Sequence, residues 1–304
     1  MSLSNVAALV RLFLGVFRAR RLLDQYKPDV VLGTGGYTCA AVLLAQKLRR
    51  GKLVIHEQNV VPGRTNLWLS KMADMVCLSF EESAVHFHCS PRTRVVCTGM
   101  PVREEFASLP DRNTARVNMG LDADLFTVFV VGGSQGARKL NEVSLNMWPL
   151  LDDNTTQILH QTGIKNLAEV QSKVERINNP DKYRVEGYVD MPLALACADL
   201  VLSRSGASTL AEISAAGLPS VLVPYPFAYA DHQRLNAEVF SARMASVVLP
   251  DESLTAESVA SIIMKLRSKP SLLAGMSERS SRVFGSGVAD RIAAELMTIS
   301  AFRG

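Results

Sequence analysis

Val128-Phe-Val-Val-Gly-Gly-Ser-Gln-Gly-Ala137 is the stretch on which the fold of this chain turns. Four apolar, mostly β-branched residues read as a buried strand, and the glycine-rich turn behind them opens a helix. At such a junction free backbone N–H groups and the positive end of the helix dipole converge. Glycines without Cβ then let an anion approach the main chain. The device occurs twice more, at Gly33-Thr-Gly-Gly-Tyr37 and Ser203-Arg-Ser-Gly-Ala-Ser-Thr209. Phosphate is the natural ligand, although tight strand-to-helix turns also use glycine for structural reasons alone. None of the three ends in Gly-Lys-Ser/Thr, and none completes the dinucleotide fingerprint, which disfavours a Walker-type nucleotide triphosphatase.

Outward from this stretch, short β-branched runs alternate with amphipathic segments. Val30-Val-Leu32, Leu53-Val-Ile55, Met75-Val-Cys-Leu78 and Val95-Val-Cys97 read as strands, with helices near 38–50 and 65–73. A second series places strands at 128–131, 156–160, 183–185, 200–202 and 220–224. Strands alternating with helices imply parallel sheets covered on both faces, an α/β class. The polar segment 104–124 holds Pro110 and shows no periodicity, so a domain boundary is expected there. At 304 residues the chain has room for two domains.

Composition narrows the function. Apolar residues make up 48% and charged residues 20%, which excludes extended disorder. Five cysteines without a Cys-x-x-Cys pair fit reduced thiols rather than a disulfide or zinc framework. The net charge of +4 is unevenly spread: residues 1–104 hold 14 Lys and Arg against 7 Asp and Glu. A basic half points to an anionic surface. Nucleic acid is the weaker candidate, because aromatics are 6% and no run of five basic residues occurs. The apolar stretch 6–17 is too short to span a bilayer, and its arginines, Arg18, Arg20 and Arg21, follow it rather than precede it as in a secretory signal. As a helix it aligns Val6, Leu9, Leu12, Phe13, Val16 and Phe17. That side suits either core packing or the interface of a membrane.

Glu212 falls one turn inside the helix that begins near Ala207, where a carboxylate accepts ribose hydroxyls of a nucleotide or simply complements the helix dipole. Asp231-His232-Gln233 follows a strand end, where a polar trio suits sugar hydroxyls. His86-Phe-His-Cys89 has no fourth ligand nearby and reads as surface loop. Asp122-Ala-Asp124 precedes its strand and so lies at the wrong end of the sheet for a sugar-nucleotide metal; no metal or cofactor is expected. His56 and Glu57 follow a strand and stand either as a base or as structural hydrogen-bonding residues.

The ordered series Lys27-Pro-Asp-Val-Val-Leu-Gly33, Gly35-Gly-Tyr37, His56-Glu-Gln-Asn59, Pro101-Val-Arg103, Gly132-Gly-Ser-Gln-Gly-Ala137, His160-Gln-Thr-Gly163, and Ser205-Gly-Ala207 through Glu212 to Ala216-Gly-Leu-Pro219 resembles the MurG family of glycosyltransferases over nearly the whole chain. The resemblance implies a GT-B fold, two Rossmann-like domains facing across a cleft: 1–104 on the acceptor and membrane side, 105–284 binding the UDP-sugar, and 285–304 crossing back to the first. It implies an inverting, metal-independent hexosyltransferase moving N-acetylglucosamine (GlcNAc) from UDP-GlcNAc to undecaprenyl-diphosphate-muramyl-pentapeptide in peptidoglycan synthesis. Such an enzyme is peripheral, on the cytoplasmic face of the plasma membrane. Carried over by position, Ser134 with Ala207, Ser208, Thr209, Leu210, Ala211 and Glu212 resembles the UDP site, Glu212 meeting the ribose. Val189 resembles the position that meets uracil, Gln233 a contact to GlcNAc hydroxyls, and Asn59 and Arg103 cleft-lining residues. Gly35, Gly36 and Tyr37 resemble the loop on the acceptor diphosphate side.

Two departures stand out. Met100 replaces the usual Asn before Pro101-Val-Arg103. The family's opening strand and Gly-Gly-Thr-Gly-Gly-His loop, which carries the proposed base, have no counterpart in these residues. The N-terminal domain is therefore expected to be incomplete by at least one βαβ unit of about 30 residues. Two alternatives remain open: a related transferase acting on another lipid, and a non-catalytic UDP-sugar-binding subunit completed by a partner chain.

Overall fold

The computed structural model describes the backbone of residues 3–151 and 154–301, and the side chains within those ranges from Val10 onward. Val6 and Leu9, expected on the apolar side of the first helix, have side chains outside the described residues, as do Phe302, Arg303 and Gly304 at the chain's end. The chain divides into two compact units, residues 1–101 with 287–304, and residues 102–286.

The first unit runs α1 (Leu3–Tyr26), β1 (Val30–Gly33), α2 (Gly36–Leu48), β2 (Lys52–Glu57), α3 (Arg64–Ser70), β3 (Met75–Leu78) and β4 (Arg94–Cys97). Its sheet is parallel throughout, in the order β1-β2-β3-β4. Leu53 and Ile55 of β2 pack with Leu43 and Leu69 on one face. On the other, Val54, Met75 and Cys77 meet Ile299 of the chain's last helix. A two-sided parallel sheet reads as continuous apolar runs, which is why these strands were legible.

The second unit adds α4 (Arg112–Asn118), β5 (Phe126–Val131), α5 (Arg138–Leu151), β6 (Thr156–Gln161), α6 (Leu167–Val174), β7 (Tyr183–Glu186), α7 (Met191–Cys197), β8 (Leu200–Ser203), α8 (Ala207–Ala215), β9 (Ser220–Leu222), α9 (His232–Ala242), β10 (Ser246–Val248), α10 (Ala256–Arg267) and α11 (Pro270–Ser281). α12 (Val288–Ala301) then belongs to the first unit, where Arg291 donates to the Thr98 carbonyl at 3.1 Å and Glu295 pairs with Arg94 at 3.0 Å. The second sheet is again wholly parallel, ordered β10-β9-β8-β5-β6-β7. Val128, Val130, Leu200 and Leu202 form its core with Leu140, Trp148 and Ile263.

Sequence reasoning missed β10 and α4, among others. β10 is only three residues long, and two of them are half-buried. α4 lies inside the aperiodic segment 104–124, where a domain boundary is expected: Asp111 caps it by accepting from the Thr114 N–H at 3.0 Å. Its Arg116 is buried, and donates to the Cys197 carbonyl at 3.0 Å and to Asp199 at 2.5 Å. A buried arginine disguises the helix's apolar side.

The side chains of α1 divide by burial. Val16, Ala19 and Leu23 pack on Ala45 and Val31, whereas Val10, Phe13, Leu14 and Phe17 face outward, Phe13 being 73% exposed. Among the described residues no helix is long and apolar enough to cross a membrane.

Candidate active site

The strand order of the second unit reverses between β5 and β8, and in open α/β sheets ligands collect beyond the carboxyl ends of the strands at that point. Two of the three glycine turns flank it: 132–137 after β5, and 204–206 leading to Gly206, the N-cap of α8. Packing fixes the first turn. A Cβ on Gly136 would lie 1.8 Å from the Thr162 carbonyl oxygen, and one on Gly163 2.5 Å from that of Gln135. Gly133 and Gly206 differ, because a Cβ on either would meet nothing within 4 Å. Bare main chain there faces open space.

That space is a pocket of about 560 Å³ lined by Gly133, Gly206, Thr209, Tyr225, Phe227 and Gln233, among others. Three cations border it, Arg138, Lys139 and Arg204, against one carboxylate, Asp251. Arg204 donates to the Val223 and Pro224 carbonyls at 3.2 and 3.0 Å and to Asp251 at 2.7 Å; Lys139 reaches the same carboxylate at 2.9 Å. Burial alone would raise the Asp251 carboxyl, but the bonds from Lys139 and Arg204 outweigh it and hold it below the usual carboxylate range. The surplus of positive charge, with the free N–H groups of α8, suits an anion.

Glu212 stands in the second turn of α8, half-buried, and among the described residues none donates a hydrogen bond to its carboxylate. Burial pushes its carboxyl above the ordinary value, with the positive charge of Arg103 opposing the shift. Arg103 also pairs with Asp190 at 3.6 Å, just before α7. Arg103, Asp190 and Glu212 thus share one neighbourhood. The Gln233 side-chain oxygen accepts from the Tyr225 N–H at 3.0 Å, which leaves its NH₂ as the end available to a ligand. Its own carbonyl accepts from Ser205 Oγ at 2.7 Å, tying α9 to the turn after β8.

The other expected residues fall as follows. Ser134 is exposed on its turn, and Ser208 is exposed in the first turn of α8. Ala207, Leu210 and Ala211 bury their side chains in the core, so only main chain is on offer there. Val189 is buried after β7, beside the exposed Tyr188. In the first unit Gly35 and Gly36 open α2 with φ of +95° and +79°, and Tyr37 is 93% exposed. His56 is buried; its Nε2 lies 2.9 Å from the Gly99 carbonyl and so carries the proton, and Nδ1 accepts from Gln58 at 3.3 Å. Burial lowers its pKa. Glu57 accepts from the N–H groups of Gln58, Asn59 and Gly63 and from Asn66 Nδ2 at 2.7 Å, which occupies both oxygens. Asn59 Nδ2 adds a contact to Glu57 at 3.4 Å. His56 also borders an apolar recess of about 510 Å³ with Leu32, Met100 and Ile292. Asp122 and Asp124 precede β5, at the end of the sheet away from the pocket. His86 and His88 are exposed, and among the described residues no three His, Cys, Asp or Glu group as metal ligands.

Sequence reasoning missed the cation set. Arg204 sits in a turn already singled out, but its partner Asp251 is 47 residues away, a pairing no local pattern reveals.

Comparison with known proteins identifies the family. The glycosyltransferase family 28 C-terminal domain matches residues 127–292, and the N-terminal domain of that family matches residues 1–78. A Natranaerobius thermophilus protein named UDP-N-acetylglucosamine--N-acetylmuramyl-(pentapeptide) pyrophosphoryl-undecaprenol N-acetylglucosamine transferase is 40% identical over 264 residues, 85% of this chain and 71% of that protein. A protein of the same name from Halalkalibacterium halodurans is 36% identical over 279 residues, 91% of this chain and 76% of that protein. The crystal structure of Acinetobacter baumannii MurG superposes with a TM-score of 0.74 at 29% identity, covering 93% of this chain and 77% of that one. Two parallel Rossmann-like sheets and these matches make the fold GT-B, and the chain belongs to glycosyltransferase family 28, in its MurG branch.

Proposed function

We propose that the chain moves GlcNAc from UDP-GlcNAc to undecaprenyl-diphosphate-linked N-acetylmuramyl-pentapeptide, the reaction in the names of its relatives. One observation carries the site assignment: a half-buried carboxylate, Glu212, without a hydrogen-bond donor among the described residues, one turn beyond a helix N-terminus that opens on a positive pocket. An unpaired group of this kind is costly unless a ligand completes it. In this reading the diphosphate lies against Ser134, Gly206 and the first N–H groups of α8, Glu212 accepts the ribose hydroxyls, Val189 meets the uracil through its main chain, and Gln233 donates to the sugar.

The chemistry follows from that placement. The acceptor hydroxyl oxygen attacks C1 of GlcNAc from the face opposite UDP. The C1–O bond to the diphosphate breaks, UDP leaves with the electron pair, and the hydroxyl proton passes to a base. Charge growing on the departing diphosphate is stabilised by the helix dipole, the loop N–H groups and the cations Arg138, Lys139 and Arg204. No step in this reading passes through a metal ion.

The acceptor is a lipid, and α1 supports a peripheral seat at the cytoplasmic face of the membrane. Val10, Phe13, Leu14 and Phe17 are exposed, with Arg11, Arg18, Arg20 and Arg21 on the same helix and Arg21 lying 4.8 Å over the Phe17 ring. Incubating the purified chain with labelled UDP-GlcNAc and the lipid-linked muramyl-pentapeptide tests the whole reading, with labelled disaccharide lipid as the expected product. Binding of UDP without transfer would favour a subunit completed by another polypeptide; transfer only to a different lipid would change the acceptor.

A further inference from the structure

We infer that His160 is a positioning residue for the donor diphosphate, acting on the 132–137 turn through Asn141 and the Thr162 carbonyl. The inference rests on the reading above, in which that turn holds the diphosphate. His160 lies on β6 directly opposite Val130 of β5, wholly buried and remote from solvent. A fully buried imidazole in a strand is unusual, and it persists here because both ring nitrogens are occupied. Nδ1 is 2.9 Å from the Tyr183 hydroxyl, and Nε2 is 3.1 Å from Asn141 Oδ1.

The directions of these bonds follow from one another. Asn141 Nδ2 donates to the Thr162 carbonyl at 3.0 Å, so its Oδ1 is the acceptor and His160 Nε2 must carry the proton. Nδ1 then accepts from Tyr183 O–H, whose ring is held edge-on by Trp148 at 5.7 Å. Burial pushes the His160 imidazole down to about 3, so this neutral tautomer persists across the physiological range.

The line ends at the site. The Thr162 carbonyl accepts a second bond, from Asn166 Nδ2 at 2.9 Å, and lies against the bare Cα of Gly136, where a Cβ would intrude to 1.8 Å. Gly163 is likewise tight against Gln135, where a Cβ would come within 2.5 Å of the carbonyl oxygen. The turn therefore has no slack relative to residues 162–163. Asn141 also sits at the start of α5, its N–H donating to the Ala137 carbonyl at 2.8 Å. One histidine thereby fixes both the turn and the helix start that follows it. Releasing Asn141 leaves the Thr162 carbonyl with the Asn166 bond alone, so carbonyl and turn can shift together.

The test compares His160→Phe, which keeps ring volume but removes both bonds, with His160→Gln, which restores an N–H toward Asn141. Asn141→Leu cuts the line while leaving His160 in place. UDP affinity is read by calorimetry, KM and kcat for UDP-GlcNAc by transfer assay, and folding by melting temperature, all on the full chain well below its melting point. The expected result is a rise of about ten- to a hundred-fold in UDP Kd and donor KM for Phe and for Asn141→Leu, from a shift of the turn by an ångström or less. The Gln variant recovers most of it. Values of Kd and KM within twofold of the parent in folded Phe or Asn141→Leu protein, whatever the melting temperature, would reduce His160 to a packing residue. If His160→Phe does not fold, Asn141→Leu decides the question alone. Should the parent chain fail to bind UDP, the donor-site reading falls instead, and the two failures are thus distinguishable.

Discussion

Replacing Glu212 by Gln and by Ala separates binding from folding in one experiment. The carboxylate is half-buried and accepts no bond from the described residues, so part of its dehydration is already incurred in the free enzyme. Hydrogen bonds from ribose hydroxyls to an ionised acceptor contribute about 1.5–3 kcal/mol. At about 1.4 kcal/mol per decade, the loss is roughly 10- to 150-fold in UDP affinity, with Gln at the lower end because it keeps one acceptor oxygen. Stability moves the other way. The folded carboxyl titrates above its unfolded value, so the folded state holds that proton more tightly. The resulting stabilisation is complete below the unfolded value of about 4.3 and is lost as pH rises through the folded one. At neutral pH the Gln variant therefore melts at or above the parent temperature. Affinity for UDP-GlcNAc, whose diphosphate has no proton titrating near neutrality, should weaken in the parent as pH falls through the raised Glu212 value and stay level in the Gln variant. Calorimetry with UDP and UDP-GlcNAc reads both effects. Kd values within twofold of the parent for both substitutions would remove Glu212 from the site, and a fall in affinity matched by a fall in melting temperature would make its role structural.

Gly136→Ala must displace either the turn or the Thr162 carbonyl, and a loss of several degrees in melting temperature is expected by calorimetry; an unchanged transition would contradict the packing described. Phe13→Ser combined with Phe17→Ser should lower partition onto anionic vesicles by on the order of 10- to 100-fold. Neutralising Arg18, Arg20 and Arg21 should remove the salt sensitivity, at about 1 kcal/mol per charge near the surface; sedimentation of both variants with vesicles at the parent level would detach α1 from the membrane. The His160 imidazole titrates far below its unfolded value, at about 3, so its contribution to stability is present above about pH 6.5 and lost as pH falls toward 3. Acid titration of folding should accordingly be shallower in His160→Phe than in the parent over that window.

The alternating strands and glycine turns were legible because a two-sided parallel sheet writes its burial as unbroken apolar runs, and because a phosphate-facing turn needs glycine at fixed places. Val128-Phe-Val-Val131 and Leu200-Val-Leu202 are such runs, and every residue in them is buried. What escaped was set by distance along the chain. Arg204 and Lys139 meet at Asp251 across separations of 47 and 112 residues, and Arg116 of α4 reaches Asp199 across 83. The apolar stretch of α1 supported two readings because periodicity reports a face, not what covers it. Phe13 and Val16 lie only three positions apart, yet one faces outward and the other packs on the sheet unit.

Gly206 has ordinary backbone angles, φ −67° and ψ 142°, and room for a side chain. A library screened for thermal tolerance or soluble yield would therefore score Ala or Ser at this position as silent. On the proposed placement of the diphosphate, the same library grown under a demand for the cell-wall product would lose them, since the added carbon fills the volume assigned to that group. Gly136, held by the fold itself, would disappear from both. Setting the two screens side by side would sort the glycines of this protein by what each one serves, without a ligand ever being seen.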